Sequence, residues 1–145
     1  MKSIKQISVF VENKPGRLLD VIEVLGGSDI DIKAISLADS SDFGIVRLIC
    51  ENPESAYKVI NSSGFTASLT EVLAIAISDK PGSLAKVLRV LKESSINIEY
   101  MYGFSAKMKD HAVIIMKVSN LEETIKCCIS NNVQILSEND IKSVV

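Results

Sequence analysis

The chain has 145 residues, of which 47% are hydrophobic and 23% charged, and its formal net charge at pH 7 is −2. This composition is typical of a globular protein and excludes a disordered or fibrous one. The basic residues are scattered singly, so we expect no nucleic-acid partner. No apolar run approaches the roughly 18 residues of a membrane span, and the N-terminus has no signal-peptide core. We therefore predict a cytoplasmic protein with no membrane partner.

The cysteines and the single histidine argue against several kinds of chemistry. Cys50, Cys127 and Cys128 are odd in number and have no paired spacing, which argues against a disulfide framework. A zinc site is not expected either, because His111 is the only histidine available as a further ligand. We predict no metal, no cofactor and no catalytic residue. Cys128 is expected in the core, Cys127 half-buried and His111 at the surface.

The first half of the chain alternates predicted strands and helices. Ile4–Val11 reads as a strand, and Leu18–Leu25 carries the apolar stripe of a helix that Gly26-Gly27 is expected to stop. Ile30–Leu37 alternates as a second strand. The remaining elements are a strand, a helix and a strand: Gly44–Cys50, a helix from Pro53, and a strand beginning near Phe65.

The second half repeats the same order of elements. Its predicted strands and helices are Val72–Ile77, Leu84–Leu91, Ile96–Phe104, Ala112–Val118, Leu121–Ile129 and Val133–Leu136. Ser137–Asp140 has the pattern of a cap that opens one more helical turn.

The two halves agree because the sequence itself is repeated. Asn13–Leu18 returns 66 positions later as Asp79–Leu84, and 10 of the 20 aligned positions between Asn13–Ile32 and Asp79–Ile98 are identical. A match at a fixed period indicates two copies of one structural module. We predict two domains, residues 1–70 and 71–145.

The order βαββαβ in each copy is that of the ferredoxin-like fold, which belongs to the α+β class. Such a module has a four-stranded antiparallel sheet with both helices on one face. The copies meet near Thr70 without a linker-like composition. This short join predicts tight, pseudo-symmetric packing of the two modules.

The repeated turn between the first strand and the first helix is the candidate binding motif. Its Pro fixes φ at a helix start, and its Gly lets another molecule approach the main chain. Asn13 and Asp79 are expected to hold the turn through side-chain hydrogen bonds. The result is a rigid helix N-terminus suited to a small carboxylate. The alternative reading is a well-made turn with no ligand.

This pattern resembles that of the ACT domain. The family's motif joins [DN]-[KR]-P-G-x-L to a hydrophobic-[ND]-Ile some fifteen residues later; here it comprises Asn13–Leu18 with Ile30–Ile32, and Asp79–Leu84 with Ile96–Ile98. The resemblance covers nearly the whole chain as two tandem domains. It implies sensors of amino acids that pair side by side into an eight-stranded antiparallel sheet, with ligand held where one domain's first turn faces its partner's second strand.

The resemblance also implies the site residues. The loop side of the two sites would be Asn13, Pro15, Gly16 and Leu18, and Asp79, Pro81, Gly82 and Leu84. The strand side would be Asp31 with Ile32, and Asn97 with Ile98. Asn97 keeps the family's Asn, which contacts the bound amino acid. Asp31 departs from it and would repel a carboxylate, so the two sites are expected to be unequal.

Acidic residues give a suggestion about the ligand. Asp29, Asp31 and Glu99 would place carboxylates near such a site, which suits a cationic or hydrogen-bond-donating side chain such as that of histidine, lysine or arginine. The alternative interpretation is that these three residues are solvated surface acids that contact no ligand.

The sequence therefore predicts a non-catalytic, allosteric regulator of amino-acid metabolism that acts through a partner enzyme or regulator. A homodimer is left open. The alternative is a regulatory subunit or docking module whose ligand sites are vestigial. RNA-recognition motifs share the element order, but Ile45 and Leu48 stand where aromatic residues would stack on bases, so that class is excluded.

Overall fold

A computed structural model describes residues 3–39, 42–105 and 109–144. This part of the chain forms seven strands and five helices of a mixed α+β fold. The chain divides into two compact units, one of Lys5–Thr70 and the other from Glu71 onward together with the N-terminal residues up to Ile4. Within the described ranges, no helix combines the length and the apolar character that crossing a membrane requires.

The first unit has the predicted βαββαβ order. Its strands lie in the order β2-β3-β1-β4, and β3 pairs antiparallel with both β1 and β2. Its elements are β1 (Ile4–Glu12), α1 (Arg17–Gly27), β2 (Ile32–Asp39), β3 (Phe43–Cys50), α2 (Pro53–Ser62) and the first part of β4 (Thr66–Ser78). Pro53 opens α2 at its first position, as predicted.

The core of the first unit lies between the sheet and its two helices. Alternation along β1 turns Ile7 and Val9 toward the helices, where they pack with Val21 and Leu25 of α1 and Ile60 of α2. All five side chains are fully buried. Burying an aliphatic side chain of this size stabilises a fold by about 1.5–3 kcal/mol, so this layer fixes α1 on the sheet.

The second unit repeats this arrangement. Its strands lie in the order β5-β6-β4-β7, and β6 pairs antiparallel with both β4 and β5. Besides the last part of β4, its elements are α3 (Ser83–Glu93), β5 (Ile98–Ser105), β6 (His111–Val118), α4 (Leu121–Ser130), β7 (Gln134–Leu136) and α5 (Glu138–Val144). Leu73 and Ile75 of β4 pack against Val87 and Leu91 of α3 and Cys128 of α4.

The α+β class and the ferredoxin-like order are confirmed, with seven described strands rather than eight. The fourth strand of the first copy and the first strand of the second form one 13-residue strand, β4. The join at residues 68–71 contains neither Gly nor Pro, so nothing there interrupts the extended chain. The assignment of residues 1–70 and 71–145 as two domains stays a prediction.

Two helices differ in detail from the sequence predictions. Helix α1 runs through Gly26 and Gly27 instead of stopping before them. On α4, Cys127 is buried rather than half-buried, whereas Ile129 is 62% exposed, because the buried face of the helix centres on Thr124, Ile125 and the two cysteines.

Ser137 and Asp140 form the predicted reciprocal cap, with N–H to side-chain oxygen distances of 2.8 and 3.2 Å. The connections between the second and third strands of the two copies include residues 40–41 and 106–108, which lie outside the described residues.

A left-handed residue follows each of the helices α1 to α4, namely Asp29, Gly64, Ser95 and Asn132. After α3, Ser95 has φ 56°, and the next N–H donates to the carbonyl of Leu91 at 3.0 Å. After α2, Gly64 has φ 93°, and the N–H of Phe65 donates to the carbonyl of Ile60 at 3.3 Å. This is the hydrogen-bonding pattern of a Schellman cap, which satisfies the last carbonyls of a helix.

The left-handed conformation of the cap residues predicts that two substitutions change the free energy of unfolding in opposite directions. Gly64→Ala should lower the free energy of unfolding by about 1 kcal/mol, since Ala resists positive φ. No neighbour lies within 4 Å of the added Cβ, so a clash would not contribute. Ser95→Gly should raise the free energy of unfolding by up to about 1 kcal/mol by relieving the same strain. Urea unfolding measures both, and equal stability of wild type and Gly64→Ala would contradict the assigned cap.

Candidate functional site

The two repeated loops adopt the same main-chain conformation. Gly16, with φ 88° and ψ −13°, directly precedes α1, and Gly82, with φ 88° and ψ −10°, directly precedes α3. Only glycine adopts this left-handed conformation without strain. A Cβ at either position would have nothing within 4 Å. The loops therefore leave open space beside the main chain at each helix start.

Main-chain hydrogen bonds tie each loop to the neighbouring turn. The N–H of Asn13 donates to the carbonyl of Asp42 at 3.0 Å, and the N–H of Asp79 donates to the carbonyl of Asp110 at 2.8 Å. Neither helix start receives a side-chain cap. The loop is thus held through the main chain, whereas the sequence had suggested the Asn13 and Asp79 side chains.

The loop side of each predicted site combines an apolar anchor with exposed main chain. Leu18 packs against the core of the first unit and Leu84 against that of the second. The prolines and glycines of both loops are exposed. The first turn of an α-helix presents N–H groups without partners in the helix, and its dipole is positive there. This arrangement suits an anionic group such as a carboxylate.

On the strand side of the first copy, Ile32 packs against the core and Asp31 is exposed just before β2. The carbonyl of Asp31 accepts from the N–H of Glu51 at 3.1 Å, which fixes its main chain. Its carboxylate pairs with the Lys33 ammonium at 3.0 Å. Asp31 is therefore partly neutralised within its own unit.

The strand side of the second copy is similar in main chain but different in charge. Ile98 packs against its core, and the carbonyl of Asn97 accepts from the N–H of Ser119 at 3.0 Å. Asn97 is exposed and uncharged. Glu99 pairs with Lys117 at 3.0 Å. Because Asp31 and Glu99 each have a lysine partner, they add little to the charge argument for a cationic ligand.

Within one copy, the loop side and the strand side lie at opposite ends of the sheet. Glu12, next to the loop, pairs with Phe43, whereas Ile32 pairs with Cys50 at the far end of the same strand β3. The 11 residues of α1 separate the two sides, about 16 Å at 1.5 Å per residue. A small ligand cannot touch both sides of one copy. A site built from the twelve predicted residues requires the loop of one copy and the strand of another.

One predicted residue lines a described surface cavity. Asp31 borders a shallow cavity of about 410 Å³ that is also lined by Gly26, Asp29, Ile30 and Glu51. Two acidic side chains besides Asp31 and no basic one line it, so an anionic ligand is disfavoured there.

Two further clefts, one in each copy, share three equivalent lining positions, and sequence reasoning missed them. Each lies between the first turns of the helix that follows the loop and the segment leading into the unit's last strand. The first-unit cleft is lined by Arg17, Asp20, Glu23, Val24, Ser63 and Phe65. The second-unit cleft includes Ser83, Lys86, Val87, His111, Asn132 and Val133. None of the twelve predicted site residues lines either cleft. A position-by-position comparison of the two copies could have found these clefts from the sequence.

The cysteines show no sign of reactivity. Burial raises the pKa of the Cys50 thiol to about 12, with a smaller contribution from Asp31. Burial also raises the pKa of Cys128 to about 11. Both stay protonated at neutral pH, and a thiol is a poor nucleophile in that form. In residues 3–39, 42–105 and 109–144, no three His, Cys, Asp or Glu side chains come together to hold a metal ion.

The fold and the repeated glycine loops define a tandem pair of ferredoxin-like modules. Residues 2–145 match the family model of the ACT domain pair, so the chain belongs to this family. The resemblance inferred from the two sequence motifs is confirmed.

Solved structures agree with this family. Protein BT0572 from Bacteroides thetaiotaomicron is 37% identical, with a TM-score of 0.91 over 97% of this chain and 96% of that one. The ligand-free regulatory subunit of aspartate kinase from Thermus thermophilus is 15% identical, with a TM-score of 0.65 over 89% and 93%. E. coli aspartokinase III with lysine and aspartate is 15% identical, with a TM-score of 0.53 over 92% of this chain and 32% of that one. No curated protein sequence matches the chain.

The raised thiol pKa values predict a loss of stability at alkaline pH. An unfolded thiol ionises near pH 8.5, whereas folded Cys50 and Cys128 hold their protons to about pH 12 and 11. The free energy of unfolding should therefore fall from pH 8.5 upward, by at most ~1.4 kcal/mol per pH unit for each thiol.

Urea unfolding at pH 8 and pH 10 measures this loss. Cys50→Ala should lower stability at pH 8 but show a shallower further loss at pH 10 than the wild type. Val9→Ala, which truncates the same core without removing a titrating group, should keep the wild-type slope. A Cys50→Ala slope equal to that of Val9→Ala would contradict the cause assigned here.

Proposed function

We propose that this protein is a non-catalytic sensor that binds an amino acid between ACT modules and regulates amino-acid metabolism through a partner. Membership of the ACT domain pair family supports a regulatory role. The observation that carries the proposal is the pair of matching left-handed glycines, each open to solvent at a helix start. We also propose that residues 1–70 and 71–145 are the two ACT domains, packed side by side, in a cytoplasmic protein.

The chemistry of a free amino acid matches the two sides of the predicted sites. Its carboxylate suits the N–H groups and positive dipole end that a loop presents. Its ammonium group suits an oxygen acceptor on the strand side, either the Asn97 amide or the Asp31 carboxylate. Because the two sides of one copy lie at opposite ends of its sheet, ligand binding would couple two copies. That coupling gives the ligand a way to favour one arrangement of the modules.

The two sites are proposed to be unequal. Asp31 is an anion already paired with Lys33, so a ligand ammonium must compete with that lysine. Asn97 has a neutral amide that can both accept from an ammonium and donate to a carbonyl oxygen. We therefore assign the tighter site to the strand of the second copy. The identity of the amino acid, with histidine, lysine and arginine as the first candidates, is for the ligand panel below to decide.

A docking function is the second candidate, and one observation favours it. On β2, which lies at the end of its unit's strand order, Ile35 is 48% and Leu37 is 54% exposed. Their strand partners Leu48 and Val46 are core residues, so both side chains lie on the core face of the sheet. Exposed apolar residues on a terminal strand suit a protein contact, with a metabolic enzyme or with a second copy in a homodimer.

A panel of the twenty amino acids, tested by thermal unfolding of the full chain, separates the two candidates. A ligand at about 100 times its dissociation constant should stabilise the protein by ~2.7 kcal/mol, which raises Tm by several degrees. A selective shift with one or a few amino acids supports the sensor and names its ligand. No shift with any amino acid would refute the sensor and favour the docking function.

Gly82→Val tests the location of the site. The variant should abolish ligand-induced stabilisation at the loop of the second copy, because the added side chain fills the open space beside the main chain. It will also cost stability through strain at positive φ. Gly64→Val is the matched control, since Gly64 has a similar φ of 93° but lies outside the predicted sites. If Gly82→Val, like the control, leaves the affinity of every site in the chain unchanged, the proposed location is wrong.

A further inference from the structure

We propose that the second-unit cleft binds a small aliphatic carboxylate at a site formed by that unit alone. The cleft has a volume of about 360 Å³ and lies between the first turns of α3 and the segment joining α4 to β7. This site is separate from the amino-acid sites proposed above, because none of the residues of those sites lines the cleft.

The polar side of the cleft carries an available cation and neutral donors. Lys86 lines it, and no ion pair joins Lys86 to any of the described residues. The Ser83 hydroxyl and the Asn132 amide add hydrogen-bond donors. The nearest acids in sequence, Asp79 and Asp110, are not among the lining residues. An ammonium with neutral donors beside it favours a carboxylate over a neutral or cationic group.

The position of Lys86 strengthens this preference. Lys86 lies in the second turn of α3, and its N–H donates to the carbonyl of Gly82 at 3.2 Å, which closes the first turn. Its side chain therefore leaves the helix near the N-terminal end, where the helix dipole is positive. A carboxylate held there interacts favourably with the ammonium and with the helix end together.

The other side of the cleft is apolar. Val87 is 7% exposed, and Ala76 beside it is also buried. Val133 and Ile77 are half-buried residues that pack against the core of the unit while lining the cleft. A ligand with a carboxylate at one end and a short branched aliphatic body at the other would contact both sides. A small aliphatic carboxylate is therefore the class of ligand that matches the polar side and the apolar side of the cleft.

The first-unit cleft shows what the same place looks like when its charges are satisfied internally. Arg17 replaces Ser83, Asp20 replaces Lys86, and Phe65 replaces Val133. The Arg17 guanidinium pairs with the Asp20 carboxylate at 3.0 Å and lies 5.1 Å from the centre of the Phe65 ring. The cation of the first copy thus has an anion and an aromatic ring as partners. The second copy has neither of these partners, and its cation, Lys86, stands at the position of the anion Asp20.

A titration of the ¹⁵N-labelled full chain with sodium isovalerate, at constant ionic strength and followed by NMR, tests the proposal. Isovalerate has one carboxylate and a branched aliphatic body. We expect saturable shifts of the amide signals of Ser83, Lys86 and Asn132, and none of comparable size at Arg17 or Phe65. Isovaleramide, which keeps the shape and removes the charge, should leave these signals unchanged. Binding of isovaleramide with equal affinity would overturn the carboxylate assignment.

Two variants complete the test. Lys86→Gln should weaken isovalerate binding at least tenfold without disturbing the fold, because Lys86 is exposed. Lys92→Gln, in the last turn of the same helix and outside the cleft, is its control and should bind like the wild type. The double variant Ser83→Arg with Lys86→Asp recreates the first-copy pair and should bind no isovalerate. Unchanged affinity of Lys86→Gln, or shifts that never saturate, would overturn the proposal.

Discussion

The left-handed glycine before each unit's first helix is the constraint on which the rest of the unit depends. It turns the chain from a strand into a helix within four residues, so that Leu18 or Leu84, two residues later, packs against the core. The same conformation leaves the helix start uncovered and the space beside the main chain open. A side chain at this glycine would be strained at a φ of 88°, and the strain would lower the stability of the turn that positions the helix on the sheet. The turn and the open space at the helix start therefore depend on the same residue.

The repeat made most of this architecture predictable from the sequence. Apolar periodicity gave the order of the elements, and the second copy supported every assignment made for the first. The strand count was the exception, because two segments that had been assigned to separate copies are one extended strand, β4. Periodicity marks where a strand lies but does not show that it must stop, and residues 68–71 contain no residue that would break it.

The clefts could not be predicted in the same way, because each joins residues that are far apart in sequence. Arg17 meets Phe65 only after two strands and two helices have folded between them. Motif spacing describes a single loop or helix, whereas such a contact depends on how the last strand of a unit is positioned. For the same reason, the only site residues that the sequence could predict were those that belong to a local motif.

Two independent differences between the copies point in the same direction. Beside β2, Asp31 pairs with Lys33, whereas the equivalent residue of the second copy is the uncharged Asn97. At the start of the helix, Arg17 pairs with Asp20, whereas the second copy has Lys86 without an ion-pair partner among the residues described. In each case the first copy has an ion pair at this place, whereas the second has a polar group without one in the described part of the chain. A tandem repeat can keep one copy for stability while the other evolves ligand contacts, and this division would make the second copy the main binding module.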